Sequence, residues 1–400
     1  MLHIEKEYEL THSRWTPTSW KNFPISQTVE YKNNSDLKYV CQVLNSKNEL
    51  ILMNEILILK EAFKKAAKNN ELFFLQMGDC AERFQDSSDE TTEQKYNFLI
   101  YFAKFLEDSL QKTVLPIGRI AGQYAKPRTE NYEFKGQIKY PTFRGDLIHS
   151  YELTEKSREF NALRFLDGYE CSYKILKKIK SFNHSLFTSH EALELNYESS
   201  LTRWCPKEYC YFNSSAHFVW LGERTKNLNG AHVEFLRGIA NPIGIKIGPH
   251  FQVKEIVELI HTLNPEKEIG KIILITRLGI DFSKYQLQKL IENIQQSKLN
   301  VLWFVDPMHG NTIKIPENYK TRFLDDICTE LFNTIQVHRN LGTFLSGIHL
   351  ESTHENIIEC YQNQKNLNDF FNPSHYTSHC DPRLNHSQTK TTLEFIAQYL

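Results

Sequence analysis

The sequence predicts an α/β protein in which one (β/α)8 TIM barrel follows an N-terminal extension. Three observations carry this. Eight short, apolar, β-rich runs recur from residue 71 onward, helix-like stretches separate most of them, and polar or ionisable residues follow every run. The chain has 400 residues, 40% of them hydrophobic, which is enough for a large core, and barrels of this size are commonly one domain.

Residues 1–70 read as an irregular arm followed by a helix near Leu50–Lys68 that packs on the barrel; residues 71–400 read as the catalytic barrel with a C-terminal metal-ligand segment. The expected strands are Leu72–Gln76, Val114–Ile120, Ser185–Ser189, Phe218–Leu221, Ile243–Ile247, Ile272–Thr276, Val301–Val305 and Ser346–Leu350. Helical spacing is clear in Lys254–Leu263 and Lys284–Gln295. The connection from Thr129 to Ser189 is the least regular and holds a helical piece near Lys174–Lys180. No internal repeat or low-complexity linker is present.

The strand ends point to function. Strand one ends in Gln76-Met77-Gly78-Asp79-Cys80, and strand two carries Gly118-Arg119, then Lys126-Pro127-Arg128-Thr129. Strand three ends in Ser189-His190-Glu191, strand four in Gly222-Glu223-Arg224-Thr225, strand five contains Lys246, and strand six ends at Arg277. Strand seven ends in Asp306-Pro307-Met308-His309-Gly310-Asn311 and strand eight in His349-Leu350-Glu351. Barrels place their chemistry at these C-terminal ends.

Composition narrows the possibilities. With 47 Lys and Arg against 48 Asp and Glu, the chain lacks the charge for general affinity to nucleic acid or anionic lipid. Met1 to Ser26 is polar and does not read as a signal peptide, and apolar runs such as Val301–Val305 are too short to cross a bilayer. The eight cysteines form no CxxC pair, so the expectation is a cytoplasmic protein with reduced thiols.

Arg119, Lys126, Arg128, Arg224, Lys246 and Arg277 would converge on one barrel mouth. Six cations need anions, and two phosphates with one carboxylate supply roughly four to five negative charges. One such arginine alone reads equally well as a surface ion pair; six at strand ends do not. Cys80, His309, Glu351 and Asp381 offer a thiolate, an imidazole and two carboxylates, a set suited to a divalent first-row metal with an open position. Singly, Cys80 reads as a buried thiol and His309 as a core histidine; only barrel placement joins them. Asp79 and Asp306 are candidates to orient ligands. No dinucleotide fingerprint, P-loop, HExxH or GxSxG elbow competes.

These residues resemble the class II, plant-type 3-deoxy-D-arabino-heptulosonate 7-phosphate synthases. The resemblance begins at Trp15-Thr16-Pro17-Thr18-Ser19-Trp20 and runs through Gln76 to Glu82, Gly118 to Thr129, Gly222 to Thr225, Asp306 to Thr312 and Cys380 to Asn385. It implies condensation of phosphoenolpyruvate with erythrose 4-phosphate, a homo-oligomer, and a divalent metal, manganese first, with cobalt, magnesium, iron or zinc as alternatives. By carry-over, Cys80, His309, Glu351 and Asp381 hold the metal. Arg119, Glu223, Arg224, Lys246 and Arg277 surround phosphoenolpyruvate, while Lys126, Pro127, Arg128 and Thr129 hold the aldose phosphate. Lys246, Glu223 and Arg119 are the candidate catalytic groups. If both Cys80 and Asp381 meet one metal, the sulfurs of Cys80 and Cys380 should be neighbours that oxidation of the metal-free protein can link.

Met77, Leu278 and Leu345-Ser346-Gly347 depart from the family's usual residues. The connection after Thr129 also looks short beside members with regulatory helices there, so feedback by aromatic amino acids is expected to be weak, as in members tied to secondary metabolism. Two other readings remain: a related synthase using an amino sugar phosphate, and a non-catalytic regulatory homologue.

Overall fold

The computed structural model describes residues 15–315 and 319–400, so residues 1–14 of the expected arm lie outside the described residues. Eight parallel strands close into a barrel: β1 Leu72–Gly78, β2 Thr113–Arg119, β3 Phe187–Glu191, β4 Phe218–Leu221, β5 Ile243–Ile247, β6 Ile272–Thr276, β7 Leu302–Val305 and β8 Gly347–Glu351. Each strand pairs with its sequence neighbour, and β1 pairs with β8 through Phe74 opposite Gly347 and Gly78 opposite Glu351. All eight expected strands are present, with ends shifted by a few residues at most.

The helices are α1 Asn34–Ser46, α2 Met53–Asn69, α3 Asp89–Leu110, α4 Arg164–Ile179, α5 Leu195–Ser200, α6 Ala231–Leu236, α7 Val253–Leu263, α8 Tyr285–Gln296, α9 Leu324–Asn340, α10 Gln364–Phe370 and α11 His386–Tyr399. The segment expected to be irregular before residue 50 contains α1. Asn33 caps it by accepting from the N–H groups of Ser35 and Asp36, but only Val40 and Leu44 are buried, a stripe too narrow to stand out in the sequence. Two hairpins also went unseen. One pairs Tyr132–Lys135 with Ile138–Pro141 around Gly136, whose φ of 62° suits a primed two-residue turn. The other pairs Thr202–Cys205 with Cys210–Asn213.

The barrel separates stability from chemistry by height. Its interior is packed by Phe74, Ile117, Phe187, Phe218, Ile273 and Phe304, and α2 closes the lower end with Leu59, Phe63 and Ala66. The Phe63 ring meets Phe74, Phe218 and Phe304 at centroid distances of 4.5, 5.5 and 6.2 Å. Gly347 is required on β8, because a Cβ there would lie 2.6 Å from the Phe304 ring. Among the described residues, no helix is long and apolar enough to cross a membrane.

Phe63→Ala removes the plug from a site with no exposure. It is expected to cost about 3–5 kcal/mol of stability in denaturant unfolding. A loss below 1 kcal/mol would show that the lower barrel end does not depend on α2.

Candidate active site

The upper end of the barrel opens into a cavity of about 710 Å³. All six cations singled out from the sequence line it, together with Pro127, Thr129, Glu223, His309 and Asp381. Cys80 and Glu351, both without exposure, are buried at the same end of the barrel.

Glu351 ends β8 and gathers charge from several elements. Its Oε1 lies 3.1 Å from Arg119 Nη2, 3.2 Å from His309 Nε2 and 3.5 Å from Lys126 Nζ, and its Oε2 lies 2.8 Å from Arg322 Nη2. Burial alone would raise its pKa, but His309, Lys126 and Arg322 hold the carboxyl well below the usual range. Asp381 is likewise held low against burial by Lys126 and Lys320; its Oδ1 accepts from Lys320 at 2.7 Å. The Cys80 sulfur accepts from the Asp381 N–H at 3.2 Å and lies 3.6 Å from its Oδ2. Donor atoms of Cys80, Glu351 and Asp381 fall within 4.8 Å of one another. His309 joins this group through its contact with Glu351.

That donor set fits a divalent first-row metal. It combines one sulfur, two carboxylates and a reachable imidazole, and Lys126 Nζ already sits as a cation 3.5 Å from Glu351 and 3.7 Å from Asp381. Cys80 and Cys380 pack in one buried cluster, as expected of neighbours: burial pushes the Cys80 thiol up, and the Cys80 side chain beside it draws Cys380 down.

Asp306, at the end of β7, accepts from the His309 and Met308 N–H groups through Oδ1, while Oδ2 accepts from His309 Nδ1 at 2.7 Å and from Lys246. It thereby fixes the imidazole so that Nε2 faces Glu351. Asp79 does not play the matching part. Its carboxylate pairs with Lys95 at 2.8 Å and Arg383 at 2.6 Å, and only its backbone carbonyl turns to the site, accepting from Arg119 Nε.

Arg119 is 2% exposed and largely committed to the protein. Asp79 O, Cys80 O, Glu351 and His349 occupy four of the five guanidinium N–H donors. His349 is neutral, because burial and the Lys246 and Arg119 charges press its pKa far down. Its Nδ1–H therefore donates to Gln76 Oε1 at 2.7 Å while Nε2 accepts from Arg119. Burial brings Lys246 down to about 8, against the opposing pull of Asp306. Glu223 is fixed by Lys226 at 2.7 Å and by the Gly248 N–H at 2.7 Å. Arg224 donates to Thr129 Oγ1 at 2.6 Å, and Arg277 donates to the His309 carbonyl.

Several residues escaped the sequence reading. Glu191, which followed strand three, lines the cavity with its Oε1 free of hydrogen bonds, and burial raises its pKa. Gly222 makes room for it, since a Cβ would stand 1.9 Å from that oxygen. Trp220 looked like core but sits 5.2 Å from the Arg119 guanidinium and 5.8 Å from Lys246 Nζ. Glu82 accepts from the Ala121, Gly122 and Gln123 N–H groups, shaping the loop that carries Lys126. Lys320 and Arg322 lie beyond the β7 loop, where no strand-end signal exists.

Asp306→Asn leaves Lys246 buried without its carboxylate, so the lysine pKa is expected to fall further below about 8. Amine-selective labelling followed across pH 6–9 would then reach Lys246 at lower pH than in the wild type. An unchanged or upward-shifted profile would contradict the assignment of Asp306 as the partner that keeps Lys246 charged.

The family model described as the class-II DAHP synthetase family matches residues 15–186 and 180–397. A phospho-2-dehydro-3-deoxyheptonate aldolase of Neurospora crassa is 34% identical, over 96% of this chain and 94% of its own length. The protein of the same name from Streptomyces coelicolor is 33% identical, over 95% and 96%. A solved structure of a Francisella tularensis SCHU S4 protein of that name covers 94% of this chain with a TM-score of 0.55 at 16% identity, a likeness of fold alone. The chain belongs to the class-II DAHP synthetase family, enzymes that form a carbon–carbon bond.

Proposed function

We propose that this chain condenses phosphoenolpyruvate with erythrose 4-phosphate, giving 3-deoxy-D-arabino-heptulosonate 7-phosphate and phosphate. The observation that carries the reading is the convergence of Arg119, Lys126, Arg128, Arg224, Lys246 and Arg277 on one cavity beside a thiol–carboxylate cluster. The names borne by the full-length relatives support it. Two phosphates and one carboxylate would meet the cations of this cavity that Glu351, Asp381 and Asp306 do not already pair.

Arg119, Glu223, Arg224, Lys246 and Arg277 surround phosphoenolpyruvate in this reading, and Lys126, Pro127, Arg128 and Thr129 hold the aldose phosphate. These fixed cations offset the mutual repulsion of two anionic substrates and align C3 of the enol with the aldehyde carbon. Cys80, His309, Glu351 and Asp381 would hold a divalent metal, manganese first, which would supply Lewis-acid chemistry to the aldehyde. Carbon–carbon bond formation leaves positive charge at C2; water adds there, and phosphate departs. Lys246, with its pKa near 8, is placed to exchange a proton with the reacting groups near neutral pH. The protein works in the cytoplasm as a homo-oligomer, and its product feeds the shikimate route to aromatic compounds, including secondary metabolism.

Phosphate release is the direct test. It should require both substrates and metal, stop with chelator, and fall at least 100-fold in Cys80→Ser. Release in the presence of chelator would overturn the metal assignment, and no release with any divalent metal would overturn the reaction.

Residues 130–188 contain α4 and one hairpin but no further helix of comparable length. Phenylalanine, tyrosine and tryptophan at about 0.1–1 mM are accordingly expected to change the rate by less than twofold, and strong inhibition in that assay would refute this.

A further inference from the structure

One guanidinium joins three of the segments that carry the proposed metal donors. Arg322 follows the short antiparallel pair Ile313–Lys314 and Lys320–Thr321 and has no exposure. Its Nε donates to Thr312 Oγ1 at 2.8 Å, on the loop that begins at His309. Its Nη1 donates to the carbonyl of Pro382, the residue after Asp381. Its Nη2 lies 2.8 Å from Glu351 Oε2, while Oε1 of the same carboxylate faces His309, Arg119 and Lys126.

We infer that Arg322 is a positioning residue for the metal centre, an inference that rests on the metal reading above. It turns Glu351 so that one oxygen is presented to the other donors, and it sets the distances from β8 to the His309 loop and to the Asp381 segment. The electrostatics make the point sharper. A buried cation this close to Glu351 opposes the arrival of a divalent ion, so Coulomb energy alone would favour a neutral residue at this position. The planar fork supplies what charge does not: two directed hydrogen bonds, to Thr312 and to Pro382, aim it while Nη2 stays in ion-pair contact with Glu351 without a hydrogen bond to it, an arrangement that a lysine ammonium on a flexible stem cannot reproduce.

Arg322→Lys therefore separates geometry from charge, because it keeps the positive charge and loses the fork. Substrate-free Mn²⁺ binding, read from the electron paramagnetic resonance signal of the free ion, should weaken by roughly 10–100-fold. Thr312→Val removes only the Nε contact and leaves the Glu351 pair; its affinity should fall between those of the wild type and Arg322→Lys. Circular dichroism melts establish that each variant is folded. Folded Arg322→Lys binding Mn²⁺ within twofold of the wild type would overturn the inference while leaving the metal reading intact. Should Arg322→Lys fail to fold, wild-type affinity in Thr312→Val would overturn it instead. A wild-type protein that binds no Mn²⁺ would sink the metal reading, and the inference with it.

Discussion

The active end of this barrel is organised around the buried carboxylate of Glu351. A carboxylate without solvent contact is costly unless its charge is met, and here β2, the loop after it, the loop after β7 and the segment before α9 each send a cation or imidazole to it. Two of those elements, β2 and the loop after it, also carry proposed substrate contacts. Satisfying one buried charge therefore fixes the relative positions of Arg119, Lys126 and His309, and the cavity's shape follows from that agreement.

The arrangement also explains why two strand-end aspartates have different tasks. Asp306 faces inward, bridging Lys246 and His309, whereas Asp79 faces outward to Lys95 and Arg383. Arg383 meanwhile bonds Glu359, Glu355 and Thr377, so the outward network steadies the segment in which Asp381 lies. Inner and outer carboxylates thus brace the same centre from two sides.

Much of this was legible in the chain. Buried parallel strands announce themselves as apolar runs, and the residues at their ends are set by period and topology, so the six cations and the β1, β7 and β8 donors could be named in advance. Side-chain direction was harder to read: Asp79 and Asp306 look alike in sequence, and only packing decides which one turns inward. Trp220 could not be told from core, because its ring is core on one side and cavity wall on the other. Arg322 carried no signal, since its role depends on a hairpin and a C-terminal carbonyl brought together by tertiary contact. The hairpin around Gly136 was the avoidable omission, its alternating Tyr132, Phe134, Ile138 and Tyr140 being an ordinary strand signature.

The placement of α2 bears on how the chain reaches this state during synthesis. Phe63 emerges early, yet one of the rings it packs against, Phe304, lies about 240 residues later. At roughly 5–20 residues per second, the apolar face of that helix waits about 10–50 s on the ribosome for its seat to exist. The barrel cannot be sealed from below until β7 has been made. For that interval the nascent chain presents a sticky helix, which makes α2 a natural client for chaperones that bind exposed hydrocarbon.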